Sequence, residues 1–210
     1  MTATGGPAPA LRGVFVRYAV AWLYLAGVCA GELGYVLLPQ PDRADLLRWA
    51  STSVHNLTDH PVPSLIASAF FPTSYLWAWP ALIALALFGA VSVLGTWRTA
   101  VTCTAGQVLG TVVSEGIIAY RVADGSLPAA DRFLLDVGPS YVVVAAIAVG
   151  LLYGNWLVRV GAGLDLALLI FVGQIFAGLS RLEVAPVGHL TALLTGAVLG
   201  TVFARRNIGK

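Results

Sequence analysis

The sequence predicts an all-α fold, a polytopic membrane protein built as a bundle of six transmembrane helices, and three observations carry that prediction. Of 210 residues, 58% are hydrophobic and only 10% are charged, whereas soluble domains carry about 25% charged residues. The apolar residues are gathered into long runs separated by polar stretches rich in proline, glycine and charge. At about 20 residues per spanning helix, a chain of this length is filled by six helices with short connections, leaving no room for a soluble catalytic domain.

Each element follows from local composition. Residues 1–13 begin with a Gly/Pro/Ala-rich head and are expected to form a disordered cytoplasmic N-terminus. The membrane domain then covers residues 14–204. Its first span, 14–38, is too long and too polar, with Arg17 and Glu32, to be a cleavable signal, and it stops at Pro39. Residues 39–74 contain charges, four prolines after Pro39 and two histidines, so they read as a loop. Short apolar pieces within it, such as Leu65–Phe71, suit a segment lying in the membrane interface. The second span, 75–94, ends at Gly95-Thr96-Trp97-Arg98, a tight turn, and the third, 99–120, follows at once. A polar stretch from Arg121 to Asp136 precedes a short fourth span, 138–153; the fifth, 157–179, and the sixth, 184–204, complete the set, and 205–210 form a basic tail.

With 12 Lys+Arg against 10 Asp+Glu, the formal net charge is +2. No basic surface points to nucleic acid, so partners are expected in the bilayer itself. Six spans put both termini on one side, together with Arg12, Arg17, Arg98, Arg159, Arg205, Arg206 and Lys210; the other side holds Arg43, Arg48, Arg121, Arg132 and Arg181. Cytoplasmic loops are enriched in cations, which predicts a multi-pass protein of the cell membrane with cytoplasmic termini. The Ala/Gly/Val/Leu/Arg-heavy, Lys-poor composition suggests a GC-rich bacterial genome. Cys29 and Cys103 sit in apolar runs and imply neither a disulfide framework nor a metal site, and no His/Cys/Asp/Glu group has ligand spacing, so no cofactor is expected.

Within the spans, Gly-x-x-x-Gly occurs at Gly27/Gly31, Gly106/Gly110, Gly150/Gly154 and Gly196/Gly200. Lipid supplies no hydrophobic drive for helices to associate, so close backbone approach through small residues must supply the contact. Against this background the intramembrane polar residues are informative: Gln107, Ser114, Glu115, Asp165 and His189, the last being the only histidine outside the long loop. At about 100° per residue, His189 shares a face with Leu193, Gly196 and Gly200, so its imidazole projects along a glycine stripe. Hydrogen bonding to a backbone carbonyl as interhelical glue is one use for it. Another is set by Leu135-Asp136-Val137-Gly138-Pro139-Ser140-Tyr141 at the outer mouth of the short fourth span, where Ser140 opens a helix. A serine there can be an N-cap. Placed at the same depth as His189, it can also be a nucleophile beside a base, with helix N-terminal N–H groups available for an oxyanion.

At these residues the sequence resembles the rhomboid family of intramembrane serine proteases, in a divergent bacterial form, across most of the six-helix region. Rhomboids have a six-helix core, a long interface loop after the first helix, a Gly-x-Ser at the top of a short fourth helix, and a histidine on the sixth followed by small residues at helical spacing. The corresponding residues are Gly138-Pro139-Ser140 and Gly188-His189 through Gly196, and the passage from Gly89 and Gly95 through Arg98 to Gly106 and Gly110 is similar too. The resemblance implies Ser140 as nucleophile, His189 as general base, the Ser140 backbone N–H in the oxyanion hole, and Gly138 and Gly196 as supports. Tyr141 stands where active members usually carry Gly, and Tyr75–Ala81 holds neither the His nor the Asn that completes their oxyanion site; His55, Asn56 and His60 of the first loop are candidate substitutes.

Two functions follow as expectations. The first is a hydrolase carrying out intramembrane proteolysis of transmembrane protein substrates by a Ser/His dyad. The second is a catalytically inactive rhomboid-like membrane protein that binds transmembrane clients. A transporter using Arg17, Glu32, Gln107, Glu115 and Asp165 as a polar pathway is disfavoured, because the sequence has no inverted repeat.

Overall fold

The structure is a computed structural model that describes residues 8–72 and 76–208. Residues 73–75, where the sequence places the end of the loop and the start of the second span, lie outside the described residues, as do 1–7 and 209–210. Among the described residues ten α-helices follow in order: α1 Ala8–Arg17, α2 Ala19–Leu37, α3 Gln40–Ala50, α4 Val54–Asp59, α5 Pro61–Ser68, α6 Trp79–Leu94, α7 Thr96–Ala123, α8 Ser140–Tyr153, α9 Trp156–Phe171 and α10 Val184–Ile208. Among the described residues there is no strand. Residues 8–13, expected to be disordered, belong to α1.

Helices α2, α7 and α10 are long and apolar enough to cross a membrane, and α6 and α8 are apolar but shorter. At 1.5 Å per residue, the 14 residues of α8 reach only about 21 Å, less than the ~30 Å hydrocarbon core. That helix is the axis of the bundle. Tyr141 to Gly150 are all buried, which is the condition of a helix apolar on every face. Around α8 stand α6, α7, α9 and α10, whose outward faces expose Leu85, Val112, Leu164, Phe171 and Val198. A surface this apolar is suited to lipid and not to water.

The glycine pairs mark where backbones approach. A Cβ on Gly106 would lie 2.6 Å from the Ala145 Cβ, and one on Gly196 would lie 2.2 Å from the Ala145 carbonyl oxygen, so α7 and α10 clasp α8 at the same residue. Gly200 faces Tyr153, and Gly150 faces Ala162 of α9. At the pair on α2 the nearest atoms come from the end of the first loop: Gly27 faces the Phe70 ring and Gly31 the Phe70 carbonyl.

Residues 39–72 fold into α3, α4 and α5 instead of an irregular loop. Proline at the start of α3 and α5 occupies first-turn positions where its missing N–H costs nothing, and the Ser53 hydroxyl caps α4 by accepting the Asn56 N–H. The segment is fastened to the stretch before α8: the Thr52 N–H donates to the Asp136 carbonyl at 3.0 Å, and the Gly138 N–H donates to the Ser68 carbonyl at 2.9 Å.

The fifth span departs from its expected length. Helix α9 ends at Phe171, where the sequence suggested 179. Gly173 and the left-handed Gln174 (φ 51°) turn the chain, with the Ile175 N–H donating back to the Leu169 carbonyl at 3.1 Å. The chain from Val172 to Glu183 is therefore a folded connection containing only a short 3-10 turn, Leu179–Arg181. This early stop brings the Ile175 carbonyl to α10.

Candidate active site at the mouth of α8

Gly138 has φ +150°, a conformation that L side chains rarely adopt, and it turns the chain into α8. Pro139 takes the N-cap position and makes no side-chain cap bond. Ser140 is thus the first helical residue and not the cap. Its side chain is half-buried and its hydroxyl makes no hydrogen bond among the described residues. As the opening residue of a helix, its N–H has no intrahelical acceptor.

His189 lies on α10 and is buried. Its Nδ1 is 2.9 Å from the Ile175 carbonyl oxygen. A carbonyl can only accept, so Nδ1 carries the proton in this contact and Nε2 presents a lone pair. That Nε2 is enclosed and has no hydrogen-bond partner. No hydrogen bond joins it to Ser140. The side chain against the imidazole is instead that of Tyr141, with ring centroids 5.1 Å apart and planes at 78°.

Tyr141 is held from several sides. Its hydroxyl lies 3.1 Å from both carboxylate oxygens of Asp136. A Cβ on Gly188 would lie 2.2 Å from the ring, and one on Gly110 would lie 3.1 Å from it. Two glycines, on α10 and α7, therefore make the slot. Asp136 is itself anchored, accepting from the Thr52 hydroxyl at 3.0 Å and donating its N–H to the Ser51 hydroxyl at 3.0 Å. Burial pushes the Asp136 carboxyl up to about 6, against the opposing effect of its hydrogen bonds from Thr52 and Tyr141. Beside it on α7, Glu115 is buried with neither carboxylate oxygen hydrogen-bonded.

Several sequence candidates are brought together and others are not. Ser140 and Gly138 open α8, and His189 and Gly196 stand on the α10 face that packs on it. Asn56, a candidate oxyanion donor, is engaged elsewhere: its amide donates to the carbonyls of Arg48 at 2.6 Å and Ser51 at 2.8 Å. His60 Nε2 lies 3.3 Å from the Trp49 carbonyl oxygen, and His55 packs on Phe133. Asp165 is fully buried on α9 with both oxygens unpartnered, while Arg159 donates to the Leu152 carbonyl. Among the described residues no three His, Cys, Asp or Glu side chains gather as a metal site, and both cysteines are free thiols.

The sequence reading missed Tyr141, Asp136 and Thr52 as site residues. Asp136 and Tyr141 lie within the heptapeptide around Ser140, but their link to Thr52 spans 84 residues and depends on the fold of α3 to α5.

An all-α, multi-pass bundle with Ser140 opening its short central helix and His189 facing that helix defines a polytopic membrane protein of rhomboid architecture. The family model described as Rhomboid-like protein matches residues 14–206, nearly the whole chain, and the protein belongs to that family. No curated protein and no solved structure matches it.

Proposed function

We propose that this protein is an intramembrane serine endopeptidase of a bacterial cell membrane, with both termini cytoplasmic and six spans of which α8 is the short fourth. The observation that carries this reading is the setting of His189: Nδ1 lies 2.9 Å from the Ile175 carbonyl, which can only accept, and the buried Nε2 has no partner, which leaves it to present a lone pair. That is the tautomer a general base requires. Ser140 Oγ attacks the scissile carbonyl of a transmembrane substrate while its proton passes to His189 Nε2. The oxyanion is received by the Ser140 backbone N–H, and the imidazolium then protonates the leaving amine. Water repeats the sequence on the acyl-enzyme, restoring Ser140. Catalytic hydrogen bonds are often loose before substrate binds, which accommodates the open geometry of Ser140.

A second reading, an inactive family member that holds transmembrane clients, is favoured by the occupation of the imidazole face by Tyr141. Fluorophosphonate labelling of the purified protein in micelles separates the two. Labelling abolished by Ser140→Ala and by His189→Ala supports the peptidase. Absence of any Ser140-dependent labelling overturns it and leaves the client-binding reading.

A further inference from the structure

Between the first loop and His189 runs an unbroken chain of contacts that the Ser/His chemistry does not require. Ser51 and Thr52 hold Asp136 by contacts of 3.0 Å each: Thr52 N–H to the Asp136 carbonyl, the Thr52 hydroxyl shared between that carbonyl and Oδ2, and Asp136 N–H to Ser51 Oγ. Asp136 in turn takes the Tyr141 hydroxyl at 3.1 Å to each carboxylate oxygen. Tyr141 lies across His189 in a slot that Gly188 and Gly110 leave no wider than its ring. The imidazole is thereby fixed on two sides, by the Ile175 carbonyl at Nδ1 and by the Tyr141 ring.

We propose that Asp136 is a positioning residue for His189: by clamping the Tyr141 hydroxyl to the Ser51–Thr52 segment, it sets the orientation in which Nε2 is presented at the mouth of α8.

A histidine held by a single hydrogen bond at Nδ1 can still swing about that bond, and a small error in the direction of Nε2 is costly in rate. An edge-to-face ring contact is worth about 0.5–1.5 kcal/mol, which is too little to hold the imidazole unless the tyrosine is itself immobile. A hydroxyl proton shared between both oxygens of a buried carboxyl, itself tied to another part of the chain, supplies that immobility. Asp136 touches neither Ser140 nor His189 through any hydrogen bond, so its action is indirect. The arrangement also explains why α3 to α5 are stapled to the segment before α8 instead of floating at the interface: loosening Thr52 loosens the base.

The inference rests on the peptidase reading for its catalytic consequence but not for its geometry, and the experiment keeps the two apart. Protein carrying 15N-labelled histidine is observed by NMR in micelles, with the His189 signals assigned through His189→Ala, and the same samples are scored for fluorophosphonate labelling. Tyr141→Phe keeps the ring and removes the hydroxyl that Asp136 and Ser114 engage, and Asp136→Asn keeps one acceptor for it. Tyr141→Phe is expected to broaden or shift the His189 ring-nitrogen signals away from the pure Nδ1–H form and to slow labelling 10- to 100-fold, with Asp136→Asn between it and wild type. Thr52→Val is expected to behave like a weaker Tyr141→Phe. Unchanged His189 signals in all three variants, each with wild-type helical content, overturn the proposal. A His189 signal that shifts in a protein showing no Ser140-dependent labelling retains the clamp and removes the peptidase reading instead.

Discussion

The rings of Tyr141 and His189 meet in a T-shaped contact, centroids 5.1 Å apart and planes at 78°, and Gly188, the residue before the histidine, makes that contact possible. A methyl group at 188 would lie 2.2 Å from the Tyr141 hydroxyl oxygen and Cζ. Gly188→Ala is therefore expected to expel Tyr141 from its slot without removing any functional atom. Ser140-dependent fluorophosphonate labelling should fall at least 10-fold in this variant. Helical content by circular dichroism should stay that of the wild type, and labelling at the wild-type rate would show that the slot does not orient the base.

Asp136 gives stability a defined pH dependence. Its carboxyl is raised in the folded protein to about 6 from an ordinary value of 3.8, so between those values the folded state holds a proton that the unfolded chain has released. The contribution is fully present below about pH 4 and is lost as pH rises through about 6. The full displacement corresponds to ~3 kcal/mol at most. The other groups around it are Glu115 from α7, Tyr141 from α8 and, across the tyrosine, His189 from α10. Because Glu115 lies close to Asp136, the measurement is a difference: thermal midpoints of wild type and Asp136→Asn from pH 4 to 7. The wild type should lose stability relative to the variant across that range, and parallel curves would contradict the assignment.

How much of this was legible in the sequence depended on whether neighbours in space were neighbours in the chain. The apolar runs and their glycine pairs are local patterns, and they correctly implied a helical bundle whose backbones touch at Gly106 and Gly196. Gly138, Ser140 and Tyr141 could be seen in one heptapeptide. The clamp could not, because Thr52 and Asp136 are joined only after three short helices fold back onto the mouth of α8. The end of α9 was misjudged for a related reason. The apolar run continues past Phe171, and hydropathy alone does not register the left-handed turn at Gln174 that aims the Ile175 carbonyl at His189.

Asp165 offers a stabilising substitution. Its side chain is fully buried on α9 and neither oxygen has a hydrogen-bond partner. An unsatisfied buried polar group costs about 1–3 kcal/mol, and no hydrogen bond ties Asp165 to Ser140 or His189. Asp165→Leu is expected to raise the thermal midpoint in micelles while leaving Ser140-dependent labelling as in the wild type. A lowered midpoint would mean that the carboxyl has a partner in the membrane-embedded protein.

Gly196 and Gly116 test whether the glycine stripe or glycine content as such holds the bundle. Both lie inside long helices, where replacing glycine by alanine ordinarily favours the helix by about 1 kcal/mol. At Gly116 an added Cβ meets nothing within 4 Å, so Gly116→Ala should be neutral to slightly stabilising. At Gly196 the same carbon would lie 2.2 Å from the Ala145 carbonyl oxygen and 2.9 Å from its Cα. That obstacle is the backbone of α8, which cannot rotate away as a side chain could, so α10 must separate from α8 along the seam that also carries His189. Overpacking of this kind costs about 1–3 kcal/mol, more than the helix propensity returns. Gly196→Ala is therefore expected to lower the unfolding midpoint in micelles and to slow labelling of Ser140. Gly200→Ala, whose Cβ would meet side chains alone, the Tyr153 ring at 3.0 Å and Val149 Cγ2 at 3.4 Å, should fall between the two. Equal midpoints for Gly196→Ala and Gly116→Ala would show that α10 and α8 do not pack at this distance in the membrane protein.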